Sequence, residues 1–254
     1  MRKAERFGRI LELLAGDGSV AVGELARDLG VSEATIRRDL RALDQQRLLA
    51  RSHGGAVAHG TLYELPVRYR TGHHREEKQW IARAARQRVP DGAVVALTGG
   101  TTTTEVARAI ADRQGLTIVT NALNIAAELA VRPNLKLIVT GGVARSASYE
   151  LIGPLAETTL EGLNVDLAFV GVDGLDPEAG LTTHHEMEAA VNHTLIARAR
   201  RAIVVADASK LGRTALARIS LLGEVDELIT DAAADPALVA AFEAAGLRVT
   251  AVDR

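Results

Sequence analysis

From Pro90 onward the chain alternates short apolar runs with helical segments, and no other pattern in it restricts the fold so strongly. The runs are Ala93-Val-Val-Ala-Leu97, Leu116-Thr-Ile-Val119, Leu135-Lys-Leu-Ile-Val139, Leu167-Ala-Phe-Val170, Ala202-Ile-Val-Val-Ala206 and Glu227-Leu-Ile229. Leu247-Arg-Val-Thr-Ala-Val252 is a candidate last strand, and segments 103–111, 122–130 and 186–199 read as helices. Strands that are apolar along their whole length have no solvent face, and successive strands joined by helices lie parallel. The pattern predicts an α/β domain with a mainly parallel sheet covered on both faces. Apolar residues make up 47% of the chain but aromatics only 3%, so the core must be built from Leu, Val, Ile and Ala.

The strand ends carry the chemistry. They read Thr98-Gly-Gly-Thr-Thr-Thr-Thr104, Thr120-Asn121, Thr140-Gly-Gly142, Gly171-Val-Asp-Gly174, Asp207-Ala-Ser-Lys210 and Thr230-Asp231. Open α/β sheets bind ligands outside the carboxyl ends of their strands, so one crevice would collect these groups. The glycines at 99 and 100 allow close backbone approach, and the helix that follows offers unpaired N–H groups to a phosphate or carboxylate. The spacing is neither a P-loop nor a dinucleotide fingerprint. Lys210 offers a mobile cation, Asp173 an acceptor for sugar hydroxyls, and Asn121 both functions. Taken singly, each has a plain alternative: a Gly-Thr connector, a turn cap, a surface lysine. Their convergence on one edge favours a ligand pocket.

Ahead of this domain stands Val31-Ser-Glu-Ala-Thr-Ile-Arg-Arg-Asp-Leu40. Ser32 is a good helix N-cap. Ile36 and Leu40 mark an apolar face, which leaves Thr35, Arg37 and Arg38 largely on the other sides. Segments 7–15 and 20–30 supply two preceding helices, and Gly30 turns the chain into a third, about 32–47. Segment 48–56 follows as a hairpin or wing with a glycine tip, from which Arg51 and His53 reach a DNA backbone or minor groove. Two adjacent arginines alone would be a solvated helix face. The ordered run of helices, turn, capped helix and wing predicts a recognition helix lying in the major groove.

Charge agrees with that division. Residues 1–90 hold 17 Lys+Arg against 11 Asp+Glu, and residues 91–254 hold 13 against 21, so only the front should meet a polyanion. The expected layout is a winged helix–turn–helix domain at 1–57, a linker at 58–74 containing His59, Gly60 and Pro66, and an α/β effector domain at 75–254. The His73-His74 pair lacks a third ligand, so no metal site is expected. The chain has no cysteine, which excludes disulfides and thiolate chemistry. With no membrane-length apolar run and no secretory signal, a cytoplasmic location is expected.

In its combination of motifs the chain resembles the DeoR family of bacterial transcriptional regulators. The resemblance is carried by Leu25-Ala26, the Val31–Leu40 segment, Arg51-Ser-His-Gly-Gly-Ala56, Glu77-Lys78, Gly100-Thr-Thr-Thr103, Thr120-Asn-Ala-Leu123 and Thr140-Gly-Gly142. It continues through Phe169-Val-Gly171, Gly180-Leu-Thr182, Asp207-Ala-Ser-Lys210 and Ile229-Thr-Asp231. It implies a winged helix–turn–helix domain followed by a mainly parallel sensor domain similar in fold to ribose-5-phosphate isomerase. It also implies repression of sugar or polyol catabolism under control of a phosphorylated metabolite. Carried over, Gly100, Thr101, Thr102 and Thr103 become the phosphate loop, and Asn121, Gly142, Asp173, Glu188 and Lys210 become pocket residues. Three features depart from the family pattern: Asn192 where a lysine is frequent, Thr98 where an aspartate is frequent, and the pair His184-His185.

The reading that follows is a DNA-binding regulator acting on a double-stranded operator as a dimer or tetramer, without a cofactor and without catalytic residues. The rival is a sugar-phosphate isomerase-like enzyme carrying a DNA-binding module, with Asp173, Glu188 and Lys210 as acid, base and cation. A third reading, protein rather than DNA as the front domain's partner, is disfavoured by its positive charge and by the Ser, Thr and Arg of the exposed helix face.

Overall fold

The computed structural model describes residues 3–46, 48–58 and 66–253. They divide into two compact units, at residues 1–73 and 74–254. His59, Gly60 and Arg47, which figured in the expected linker and recognition helix, lie outside the described residues.

The first unit begins with α1 (Lys3–Asp17), whose Phe7, Ile10, Leu11 and Leu14 are buried along one face. Next come β1 (Ser19–Ala21), α2 (Val22–Asp28) and α3 (Glu33–Gln45). The wing strands β2 (Ala50–Ser52) and β3 (Gly55–Val57) follow, then α4 (Val67–Arg70). The helix expected at 20–30 is therefore shorter, because 19–21 pair antiparallel with β3 and make the wing three-stranded, in the order β1-β3-β2. The Gly-Gly of the wing has a physical cause. Gly54 turns the hairpin at φ 85°, and a Cβ on Gly55 would lie 2.0 Å from the carbonyl oxygen of Val20. Part of the segment expected as linker, α4, is helical, with Val67 buried and Tyr69 packed against Phe7.

The second unit opens with α5 (Arg75–Arg86) and β4 (Val94–Leu97). It continues through α6 (Thr101–Ile110), β5 (Thr117–Thr120), α7 (Leu123–Leu129) and β6 (Lys136–Val139). A small hairpin, β7 (Val143–Ala144) and β8 (Leu151–Ile152), leads into α8 (Pro154–Glu161) and β9 (Val165–Val170). Then come β10 (Gly174–Asp176), β11 (Gly180–Thr183), α9 (Glu186–Ala197) and β12 (Ala199–Val205). The chain finishes with β13 (Ala217–Ser220), β14 (Glu227–Asp231), α10 (Pro236–Ala244) and β15 (Arg248–Val252).

Seven strands form one sheet in the order β6-β5-β4-β9-β12-β14-β15, and every pairing in it is parallel. Alternate residues enter separate cores, as a sheet covered on both faces requires. Ala168, Val170 and Val204 join the core of α8, α9 and α10, while Leu167, Phe169 and Val205 join the core of α5, α6 and α7. The last strand falls where the Leu247–Val252 pattern put it. The antiparallel sheet β10-β11-β13 and the hairpin β7-β8 had no signal in the sequence, since strands of two to four residues are too short to show a period.

The strand order runs backward through β6, β5 and β4 and forward from β9. In open parallel sheets ligands bind at such a reversal, which here falls at the carboxyl ends of β4 and β9.

Candidate functional site

In the first unit the recognition helix is built as its residues dictate. The Ser32 hydroxyl accepts from the Thr35 N–H at 3.3 Å and lies 3.0 Å from the Thr35 hydroxyl. Ile36, Leu40 and Leu43 are buried, and Arg37 and Arg38 are exposed. Arg37 donates to Glu33 at 2.7 Å, one turn back. Arg51 and His53 are exposed on the wing, and Arg37 and Arg51 line the same shallow cleft between helix and wing, with Ser52 and Gly54. Sequence reasoning missed Asp39, which follows the two arginines but is 2% exposed. Arg6 of α1 grips it with two donors, Nε to Oδ2 at 2.5 Å and the terminal nitrogen to Oδ1 at 3.2 Å. The Arg-Arg-Asp run thus splits, two cations outward and one anion inward as the anchor of α3 on α1. Only a period count over the whole helix, which sets Asp39 beside Ile36 and Leu40, hints at this.

In the second unit the Gly99-Gly100 loop leaves β4 at the reversal of strand order. Gly100 caps α6 with φ 123° and no side chain, so the first N–H groups of Thr101, Thr102 and Thr103 have no capping oxygen. The Thr103 and Thr104 hydroxyls donate to the Gly100 carbonyl at 3.1 and 2.6 Å, which holds the loop's shape. Thr98 ties the two strands at the crevice by accepting from the Gly171 N–H at 3.0 Å. A Cβ on Gly171 would come within 2.9 Å of the Gly99 carbonyl oxygen, so the strand ends touch backbone to backbone.

Asn121 ends the neighbouring strand β5 and is fully buried. Its Nδ2 donates to Asn192 Oδ1 of α9 at 3.5 Å, and its Oδ1 has no hydrogen-bond partner. One turn before Asn192, Glu188 is 3% exposed and saturated with donors. Arg145 reaches its Oε1 at 3.0 Å, Ser148 reaches the same oxygen, and Thr183 lies 3.2 Å from its Oε2. Thr183 also lies 3.0 Å from Asp173 Oδ2, which links the β9 end to α9. Gly142 needs its glycine for packing, since a Cβ there would sit 2.8 Å from the Ile152 carbonyl oxygen.

Glu150, Ser148 and Arg145 come from the segment before β8, which had no periodic signal. That segment is laid across the end of β5 by bonds from Leu123 N to Tyr149 O and from Leu151 N to Asn121 O. The buried Glu150 carboxylate rests against Gly99, where an added Cβ would meet its Oε1 at 2.2 Å. At the end of β12, the Asp207 carboxylate accepts from Ser209 and lies 3.9 Å from the buried Lys78 Nζ of α5. Burial alone would push Asp207 up; the Ser209 hydrogen bond and the charges of Lys78, Lys210 and His74 outweigh it and hold its carboxyl below its ordinary range. Lys210 is half-buried on a single turn after Asp207.

Among the described residues no group of three or more His, Asp or Glu side chains is set to hold a metal. No described helix is long and apolar enough to cross a membrane.

Residues 6–61 match the family model of the DeoR-like helix-turn-helix domain, and residues 73–232 match that of the DeoR C terminal sensor domain. The HTH-type transcriptional regulator GlpR of Haloferax volcanii is 40% identical over 254 residues, covering 100% of this chain and 98% of its own. The glycerol-3-phosphate regulon repressor of Escherichia coli is 34% identical over 232 residues, 91% of this chain and 92% of that one. Among solved structures, ribose 5-phosphate isomerase A of Methanocaldococcus jannaschii is similar at 20% identity and a TM-score of 0.41, over 54% of this chain and 55% of that chain. Matched in order by both domains of one family and by regulators along its whole length, the chain belongs to the DeoR family of DNA-binding transcriptional regulators.

Proposed function

We propose that the protein represses a sugar or polyol catabolic operon and that a phosphorylated metabolite, bound in the crevice of its sensor unit, modulates its hold on the operator. The observation that carries the effector half is the open start of α6 at the reversal of strand order, with glycine at 99, 100 and 171 and N–H groups free for a phosphate. Gly100, Thr101, Thr102 and Thr103 take the phosphate. Asn121, Asp173 and Lys210 face the rest of the ligand, Glu188 holds Asp173 in place through Thr183, and Gly142 shapes the wall. Ser32, Thr35, Arg37 and Arg38 meet bases and phosphates in the major groove, while Arg51 and His53 reach the flanking backbone. An operator with two half-sites needs two such helices, so the working form is a dimer or tetramer acting on DNA in the cytoplasm.

Catalysis by the same crevice has less support. A general base needs an accessible lone pair and a matched pKa, and Glu188, 3% exposed, already accepts from Arg145 and Ser148.

The test is fluorescence anisotropy on the promoter of the neighbouring operon at fixed salt. Sugar or polyol phosphates should change operator affinity by roughly 5- to 150-fold, the usual range of such coupling. Gly100→Ala should abolish the response and leave ligand-free DNA affinity intact, because its φ of 123° is strained for any side chain. Indifference to every phosphate would sink the effector half. Equal affinity for operator and random DNA would sink the operator half.

A further inference from the structure

We infer that Glu33 determines operator specificity: its carboxylate accepts from a cytosine amino group in the major groove and aims Arg37 at a guanine. This rests on the proposed DNA-facing role of α3 and adds to it a residue of opposite charge.

Geometry joins the two side chains. Arg37 Nη2 donates to Glu33 Oε2 at 2.7 Å across one turn of α3, with 59% and 51% of the two side chains exposed. A Cβ added to Gly23 of α2 would lie 3.8 Å from Glu33 Oε1, so α2 backs the carboxylate without enclosing it. Arg37 lines the cleft toward the wing, with Arg51 and Gly54. The pair is therefore held together and open to a partner.

Stability does not account for it. Exposed ion pairs one turn apart contribute little, and salt screens them. Against DNA the carboxylate is a liability. Arg37, Arg38, Arg41 and Arg51 are exposed cations of α3 and the wing, and a negative charge among them weakens attraction to phosphates whatever the sequence. In the major groove base amino groups offset that cost, and a carboxylate is the acceptor suited to cytosine N4. Arg37 spends one N–H on Glu33 and keeps four in a planar fork, which matches O6 and N7 of guanine. Four residues advance α3 by about 6 Å, which keeps both groups within reach of one base pair or two adjacent ones. Glu33 thus lowers affinity for random DNA and is compensated only where cytosine is presented, which raises discrimination rather than affinity. Glu33 is also the first residue of α3, where its charge favours the helix dipole. That role alone would move stability and leave discrimination untouched.

Fluorescence anisotropy of the full chain on the promoter of the neighbouring operon and on random duplex, over a range of salt, tests this with Glu33→Ala and Arg37→Ala. Both side chains are more than half exposed, so each variant should fold, which circular dichroism verifies. Glu33→Ala should bind random DNA more tightly, with a salt slope steeper by about 1 as Arg37 turns to a phosphate. Its operator-to-random ratio should fall at least about fivefold. Substituting each base pair of a half-site in turn should confine that loss to one C·G pair or two adjacent ones. An equal rise for both duplexes makes Glu33 a general repellent and overturns the inference, as does a loss spread evenly over the half-site. If Arg37→Ala lowers operator affinity while Glu33→Ala changes nothing, the role of Glu33 falls and that of α3 stands. If neither variant alters binding to either duplex, both fall.

Discussion

The recognition helix turns its polar groups outward, whereas the sensor crevice folds its polar groups into one another. On α3, Arg37 and Arg38 are exposed and a single buried anion, Asp39, fixes the helix to α1. In the crevice, Asn121, Asn192, Glu188, Thr183 and Ser148 are all buried, Asn121 bonded to Asn192, and Ser148 and Thr183 to Glu188. The difference follows from the partners each suits. A DNA duplex is larger than the domain and must be met on a surface, so the reading groups need only a rigid helix behind them. A site for a small ligand is enclosed, so its polar groups lose water on folding; most of them pair with one another, while Asn121 Oδ1 is buried without a partner.

The largest test of this contrast is Asp39→Ala. It leaves Arg6, whose side chain is 11% exposed, without its partner. Breaking a buried pair from one side costs about 3–5 kcal/mol, read as a fall in the denaturant midpoint of the first unit's transition. The double replacement Arg6→Met with Asp39→Leu should recover most of that loss, because two apolar groups of similar size need no charge partner. A cost below about 1 kcal/mol for Asp39→Ala would mean that the pair behaves as a solvent-screened one, and that α3 is held by its apolar face alone.

A second comparison sets this anchor against one at the far edge of the sheet. Glu227 is 1% exposed and accepts from Arg88 at 2.6 Å, from Thr250 at 2.8 Å and from Arg201. Burial would raise it, yet the hydrogen bonds from Arg88 and Thr250 and the two arginine charges hold its carboxyl below the ordinary glutamate value. A folded-state pKa below the unfolded one gives stability that is present above the unfolded value and is lost as pH falls through the folded one. The sensor unit should therefore lose stability on acidification from about pH 5 downward. Glu227→Gln should cost about 2 kcal/mol at neutral pH and flatten the acid limb of a urea-midpoint profile. An unaltered acid limb would assign it to other carboxylates, Asp207 first.

How much of this was legible in the sequence follows the same division. Ser32, Ile36, Leu40 and the two arginines sit on one continuous helix, so a period of 3.6 sorts them into inside and outside without any tertiary knowledge. The parallel sheet was legible for a related reason, since each strand is apolar over its own length. The crevice is assembled from the ends of β4, β5 and β9, the segment before β8, and one face of α9. Gly100 and Asn121 stood out because they fall at strand ends. Arg145, Ser148 and Glu150 did not, because their place across β5 is set by backbone bonds to Leu123 and Asn121 that no local pattern encodes. The same limit shortened α2, since residues 19–21 chose a strand partner more than thirty residues away.

On the outward-facing side, Arg38→Ala removes an exposed cation and should leave stability within about 0.5 kcal/mol of the parent. Operator affinity should fall by roughly 1–3 kcal/mol if the side chain meets a base edge. If it meets a phosphate, the loss should be uniform across sequences and the salt slope should drop by about 1. Competition between operator and random DNA separates these two cases, and no change in either quantity would turn Arg38 away from the duplex.

The smallest effect divides holding the helix from reading DNA at a single position. Ser32 accepts from the Thr35 N–H and its hydroxyl meets that of Thr35, so it serves the helix start and also fixes a side chain proposed to touch bases. Ser32→Ala should cost about 1 kcal/mol of stability, the ordinary loss of a cap, and free the Thr35 rotamer. Ser32→Asp keeps an accepting oxygen at the cap and favours the helix dipole, so stability should hold or rise slightly. The same carboxylate would face DNA phosphates, and operator affinity should fall more for Asp than for Ala. If affinity instead tracks stability across Ser, Asp and Ala, residue 32 acts only as a cap, and the DNA-facing surface of α3 begins at Thr35.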